Sequence, residues 1–280
     1  MRQQSTIGAI ALATAMTMAA AGAQAFDETK YPDFNGQWTR GDGSASWDQS
    51  KKGGLAQRPP LTPEYQAVFE SIIASVANGS EVYNDQARCM PSGMPRMMIA
   101  YEPIEIVMTS KTTYVRVDHD GEFRRIYTDG RHWPEDIEPS FAGYSIGKWV
   151  DEDGDGRYDV LDVETRGIKG PHNYDANGIP FDKDNQAVIK ERIHLDKGNR
   201  DILRDDITSF DHALTYPWSV TRTFYRDKVN TPWHEHICEE ENHHVMIGKE
   251  SYFLSADNLL MPTRKDQPPP DLKYFKQKEK

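Results

Sequence analysis

The 280-residue chain holds only two cysteines, Cys89 and Cys238, so neither a dense disulfide framework nor a multi-cysteine metal cluster can define it. Positive charge is also scarce, with 33 Lys and Arg against 44 Asp and Glu, a formal net charge of −11. A basic stripe of the kind that nucleic acid requires is therefore missing, and nucleic acid is not expected as a partner. Beyond the first 25 residues no run is apolar enough to span a bilayer, so stable membrane insertion is not expected either. No glycine-rich phosphate fingerprint occurs, and no nucleotide cofactor is expected. Internal repeats and an obvious interdomain linker are absent as well. What is present, 37% hydrophobic and 10% aromatic residues, suffices for a substantial core.

The first 25 residues read as a cleavable Sec-type signal peptide. Arg2 forms a short n-region, residues 7–21 are apolar and small, and Ala23-Gln24-Ala25 supplies an A-x-A cleavage site. A periplasmic or secreted protein of residues 26–280 follows from this reading. In that oxidising setting an even pair of cysteines most simply forms one bridge, Cys89 to Cys238, the alternative being two buried thiols. Closing a loop across 149 positions would contribute about 4–5 kcal/mol in a chain-entropy account.

One helix stands out. Thr62 suits an N-cap and Pro63 the first helical position, after which Tyr65, Val68, Phe69, Ile72, Ile73 and Val76 recur at three- and four-residue spacing until Asn78-Gly79. From Pro103 onward the period changes to two. A turn at Asp33 to Trp38 leads into a short strand, and further strands are expected at residues 104–109, 113–118, 122–128, 145–150, 158–165, 187–195, 202–210, 218–226, 234–238, 244–247 and 251–254, with Asp120-Gly121 as a hairpin turn. Strands at this spacing without intervening helices indicate an antiparallel β-barrel or two-sheet sandwich rather than a parallel α/β sheet. Gln267-Pro268-Pro269-Pro270 and the lysines after it read as an extended, basic C-terminal arm over about 267–280.

Several strings carry potential chemistry. The segment from Asp151 to Asp162 places Asp151, Asp153, Asp155 and Asp159 at positions 1, 3, 5 and 9 of an oxygen-rich calcium loop, Gly156 at 6 and the Arg157 carbonyl at 7. Asp162 stands at position 12 where a bidentate Glu is usual, and the flanks look like strands. Such a calcium would be structural; the alternative is an acidic hairpin turn. In the histidine cluster from His234 to His244, His234 and His236 would share one strand face, with Glu235 on the other, and could form a two-His metal site, but the zincin pattern fails because its fifth position is Cys238. Met90, Met94, Met97 and Met98 near Cys89 offer soft ligands suited to copper, or plain core filler. Gly143-Tyr144-Ser145-Ile146-Gly147 matches G-x-S-x-G with His172, His194 and His212 downstream, yet no helix pattern follows it to make a nucleophile elbow.

The string from Arg124 to His132 is the last constellation. Arg125 and Tyr127 share a strand face with Phe123, and an arginine on an apolar face needs a partner. Asp129 is the local candidate; otherwise Arg125, Tyr127 and Arg131 could clamp a ligand, with Trp218 nearby. Two functions are compatible with these residues. In the first, Trp38, Phe123, Tyr127, Trp133, Trp149 and Trp218 line a barrel cavity for an apolar or aromatic small molecule. In the second, the same cavity hosts a lyase, isomerase or hydrolase that uses His132, His212, Asp129 or Glu235 as acid and base. Convergence of one histidine and one carboxylate inside the cavity would separate them. Oligomeric state is not encoded in these features.

Taken together, Phe34 to Trp38, Cys89 to Arg96, Arg125-Ile126-Tyr127-Thr128-Asp129-Gly130-Arg131, Gly143 to Trp149, Asp211 to Trp218 and Glu235 to Cys238 resemble a broad group of exported bacterial proteins. The resemblance runs over nearly the whole chain after residue 25 and implies one domain, export and pairing of the two cysteines, with no catalytic assignment. Gly36-x-Trp38 is also similar to the entrance strand of lipocalin-type barrels, in which the tryptophan plugs the closed end.

Overall fold

The computed structural model describes residues 26–41, 46–78, 89–99, 101–118, 121–233, 237–238, 244–247, 250–255 and 257–270. The expected signal segment, Asp120, the residues His234, Glu235, His236 and His243, and the last ten residues of the arm lie outside them. Nine strands form a closed barrel in chain order. They are β1 (Gly36–Arg40), β2 (Ile104–Met108), β3 (Thr112–Val117), β4 (Phe123–Tyr127), β5 (Tyr144–Val150), β6 (Val160–Arg166), β7 (Val188–Leu195), β8 (Ile202–Phe210) and β9 (Trp218–Arg226). Helix α1 (Pro63–Ala77) begins at the Thr62 cap and buries only Phe69. A separate antiparallel sheet holds β10 (His244–Ile247), β11 (Glu250–Leu254) and β12 (Leu260–Pro262).

The strand count imposes one departure from a purely antiparallel barrel. Each antiparallel neighbour reverses direction, so a closed ring of nine cannot return to its starting direction through antiparallel steps alone. One parallel step resolves the parity, and it falls between β4 and β5, where Ile126 pairs with Ser145 and Tyr127 with Ile146. The other eight contacts are antiparallel, including the β1–β9 pair that closes the ring. A parallel step cannot use a tight hairpin and needs a long crossover. Residues 128–143 supply it without a helix, and Ser140 ties the segment to Gly167 and Lys169 through backbone hydrogen bonds.

Alternation along the strands fills the lumen. Ile104, Ile106, Val115, Val117, Ile126, Leu161, Val163, Ile189, Ile193, Leu203, Ile207 and Phe224 belong to one buried cluster with Trp38, Trp47 and the 94–99 segment. Met94, Met97 and Met98 are thus core filler. Packing is tight at Gly147, where an added methyl would lie 2.7 Å from Ile126 Cγ2 and 2.9 Å from Leu161 Cδ1. Trp38 is fully buried, donates its indole N–H to the Phe34 carbonyl at 2.8 Å and carries the Arg226 guanidinium over its ring. Cys89 and Cys238 are joined in a disulfide.

Two buried arginines organise the polar groups inside the barrel. Arg124 on β4 donates to both oxygens of Glu191 on β7, at 2.8 and 2.5 Å, to Ser145 Oγ at 3.1 Å and to Thr165 Oγ1 at 2.8 Å. Arg222 donates from β9 to the carbonyls of Ser46, Trp47 and Ile99 and so anchors the loops against the barrel. Asp205 on β8 is completely buried, and neither of its carboxylate oxygens receives a donor. Burial, and then the adjacent Glu191 carboxylate, push the Asp205 carboxyl well above the usual range, with Arg124 opposing them. A protonated Asp205 can donate to Glu191, which supplies the bond its two oxygens otherwise lack.

Candidate functional site: a charged groove on the barrel wall

The outward residues of β5 to β8 form cross-strand rows. Lys148 faces Asp162, Asp162 faces Arg192, and Arg192 faces Asp206. The adjoining row runs Ile146, Glu164, Lys190, Thr208. Charge alternates along the first row, and the second sets one Glu164–Lys190 pair between Ile146 and Thr208, an arrangement in which the charged neighbours attract. Arg192 pairs with Asp162 at 3.3 Å and also with Glu152; Lys190 lies 3.6 Å from Glu164, which Arg166 contacts at 2.5 Å. His194 and Thr221 reach Asp206 at 3.2 and 2.6 Å.

The crossover demanded by the parallel step turns this patterned wall into a groove of about 500 Å³. Trp133, midway along the crossover, and Phe210, at the end of β8, provide its aromatic sides. Trp133 is packed 6.0 Å from Tyr144 and carries the Arg166 guanidinium over its ring at 4.3 Å. Tyr144 in turn meets Tyr127 at 5.0 Å, over which Arg131 lies at 3.7 Å. Three of the residues expected to bind ligand are therefore neighbours on the outer surface or next to it: Tyr127 and Arg131 beside the groove, and Arg125 exposed on β4, stacked over Phe123 at 5.1 Å.

Their position corrects the expected orientation of β4. Arg124 and Ile126 point into the barrel, whereas Phe123, Arg125 and Tyr127 point outward. Locally the two faces are equally ambiguous, since each combines an arginine with an apolar residue. The inward choice is decided by Ser145, Thr165 and Glu191, partners contributed by later strands. Asp129 does not pair with Arg125; it accepts from Arg131 at 2.9 and 2.7 Å. Trp218 is buried in the core, 5.4 Å from the Tyr174 ring and 6.4 Å from Trp47, and is remote in kind from an open ligand site. The six aromatics expected around one cavity divide between core and surface: Trp38 and Trp218 are buried, Phe123 is exposed, Tyr127, Trp133 and Trp149 are intermediate.

Among the described residues, the expected acid and base side chains His132, His212 and Asp129 engage separate partners or none, and no histidine is paired with Asp129. His132 is exposed on the crossover. His212 is exposed after β8 and pairs through Nδ1 with Asp184, an ion pair that raises its pKa. The Arg131 guanidinium hydrogen-bonded to Asp129 brings that carboxyl down to about 2, which suits a fixed carboxylate rather than a proton carrier near neutrality. Glu235 lies outside the described residues. Ser145 of the G-x-S-x-G string is fully buried inside β5 and bonded to Arg124 and Thr165. His172 is buried too, with its ring nitrogens 2.8 and 3.1 Å from the Met94 and Lys169 carbonyls; burial takes its pKa down to about 4.

At one edge of the groove the β5–β6 hairpin carries the acidic loop. Ligand oxygens of Asp151, Asp153 and Asp159 lie within 4.8 Å of one another, so this triad could hold a metal ion. Gly154 and Gly156 adopt left-handed φ values of 76° and 87°, which allow the sharp turn. Asp151 accepts from the Gly154 and Gly156 amides at 2.8 and 2.9 Å. Two expected ligands are placed otherwise. Asp155 accepts from the Arg157 amide and stays out of the triad, and Asp162 sits on the outer face of β6 paired with Arg192. The strand begins at Val160, so position 12 is carried along the barrel wall instead of folding back over the loop. The Arg157 carbonyl remains at position 7 of the turn.

No family model matches the chain, and no curated protein matches it. Phe210, Lys190, Arg192, Glu164, Asp206 and Thr208 entered the site only through register. Their sequence signal is the polar half of the alternation in β6 to β8, which marks a solvated face but not which strands lie side by side.

Proposed function

We propose that this chain is an exported small-molecule-binding protein whose ligand occupies the outer groove rather than the barrel lumen. The observation that carries the reading is the contrast in filling. The lumen is packed with side chains, and its ionic groups are turned toward one another, whereas the groove is a concave space of about 500 Å³, within the range typical of small-molecule sites. Trp133 and Phe210 suit a ring-bearing ligand, and the charged rows give it polar contacts. The disulfide supports export, and no helix among the described residues is long and apolar enough to cross a membrane.

Calcium fits the Asp151, Asp153 and Asp159 triad, whose donors are all hard carboxylate oxygens, with the Arg157 carbonyl available in the same turn. The ion would offset two of the three clustered negative charges and rigidify the hairpin. Glu152, inside the loop, pairs with Arg192 in the groove floor, so calcium would fix one edge of the ligand site. The enzyme alternative has weaker support, because among the described candidates His212 pairs with Asp184 and Asp129 with Arg131, with no histidine joined to Asp129.

Native mass spectrometry of the protein isolated from the exported fraction tests the binding reading. A retained organic molecule that is lost in Trp133→Ala, with the fold intact by circular dichroism, is the expected result. Retention unchanged by Trp133→Ala and by Lys190→Ala would overturn placement in the groove.

A further inference from the structure

The groove's charge pattern narrows the chemistry of its ligand. Its floor carries three cations, Lys148, Lys190 and Arg192, and three anions, Asp162, Glu164 and Asp206. Glu191 also borders the space, but its carboxylate is turned inward onto Arg124. A charged ligand laid across alternating rows meets repulsion at every second residue. Asp162 and Glu164 already pair with guanidinium and ammonium groups at 2.5–3.6 Å, and Asp206 meets His194 and Thr221 at 3.2 and 2.6 Å, yet each carboxylate can accept more hydrogen bonds than these contacts use. Lys148, exposed and without a carboxylate at salt-bridge distance among the described residues, keeps its donors for a ligand.

A hydroxyl group is both donor and acceptor, so a molecule bearing many of them can satisfy an alternating floor in either orientation. Three inter-strand steps from β5 to β8 make that floor about 14 Å wide, the reach of a short oligosaccharide. Trp133 is half-buried and Phe210 exposed, and flat aromatic surfaces suit the apolar faces of sugar rings. We infer that the groove binds a neutral, polyhydroxylated ring ligand, a short oligosaccharide, through the alternating rows of β5 to β8 and the Trp133 and Phe210 rings. This inference rests on the groove being the ligand site.

The test is calorimetric titration of the full mature protein with maltohexaose, cellohexaose and chitohexaose, with oligogalacturonate and chitosan hexamer as anionic and cationic counterparts. Binding of at least one neutral oligomer is expected. Its affinity should fall at least tenfold in Trp133→Ala and change less than twofold between 50 and 500 mM salt, estimates set by the small role of screening for an uncharged ligand. Failure of all three neutral oligomers, or preference for a charged one with a steep salt dependence, overturns the inference. A parallel titration with the aromatic probe 1-anilinonaphthalene-8-sulfonate separates the two levels. If Trp133→Ala abolishes probe binding while no sugar binds, the groove stands and the saccharide class falls. If Trp133→Ala and Lys190→Ala leave all binding unchanged, both fall.

Discussion

β7 and β8 present ionic residues on both faces, and the two faces use them in opposite ways. Inside, Arg124, Glu191 and Asp205 are at most 2% exposed; Arg124 and Glu191 pair at 2.5 and 2.8 Å, while the Asp205 carboxylate oxygens receive no donor. Outside, Arg192, Asp162 and Glu164 form similar pairs with side chains roughly a quarter to a half exposed. Desolvation makes the Arg124–Glu191 pair a structural commitment: once buried, each charge needs the other to compensate it. Water keeps the outer set weakly bound and free to exchange partners for a ligand. Charge in a barrel strand is therefore informative about function only after its face is known.

The comparison breaks most sharply at Arg124. Arg124→Met would leave Glu191 buried without its cation, and a loss of about 3–5 kcal/mol in unfolding free energy is expected, measured by urea denaturation. A loss below 1 kcal/mol would show that the lumen tolerates an unpaired carboxylate or admits water.

Calcium removal comes next. With calcium held about a hundredfold above its dissociation constant, binding contributes about 2.7 kcal/mol, so chelation should lower the melting temperature by roughly 5–10 °C in a chain of this size. Hydrogen exchange should rise at the Asp151–Asp159 turn and along its link from Glu152 to Arg192 while the amides around Arg124 remain protected. Unchanged melting and exchange would leave the acidic loop as a turn alone.

Asp205 sharpens the contrast through pH. Its folded carboxyl keeps its proton well above the ordinary range while the unfolded chain releases it near 3.8. The folded state therefore binds more protons, and the stability this group contributes is full below the unfolded pKa and declines as pH rises toward the folded one. Asp205→Asn retains a donor toward Glu191 and cannot ionise. It should flatten the decline and stabilise the protein at pH 8 by about 1–3 kcal/mol, the scale of an unsatisfied buried polar group. A destabilised variant with an unchanged pH profile would show that Asp205 is held by donors in its ionised form.

The barrel strands from Ile104 to Arg226, the capped helix and the disulfide were legible because each follows from a local pattern or from the pairing of two cysteines, whereas β12 was not foreseen and the strand expected at 234–238 falls mostly outside the described residues. The orientation of β4 was not, because Phe123-Arg124-Arg125-Ile126-Tyr127 offers an arginine on either face. Glu191 and Thr165, which draw Arg124 inward, lie 67 and 41 residues away. The groove was hidden for a related reason. Its rows exist only in the register of four strands, and the crossover that supplies Trp133 follows from the parity of nine strands, a property of the closed ring and of no single segment. The acidic loop's carboxylates come together at Asp151, Asp153 and Asp159, but Asp155 turns to the Arg157 amide and Asp162 is carried off by the strand, neither of which the spacing alone reveals.

The smallest expected effect completes the pair begun with Arg124. Arg192→Met makes the same chemical change one residue from Glu191 in sequence but on the outer face, removing contacts to Asp162 and Glu152. Exposed pairs of this kind contribute about 0.2–1 kcal/mol, so urea denaturation should register almost nothing. The same variant interrupts the row from Lys148 to Asp206 and should weaken whatever small molecule the protein retains, read by native mass spectrometry. Stability lost with binding intact would make the outer rows a scaffold like the inner ones, and the distinction between the two faces of β7 would disappear.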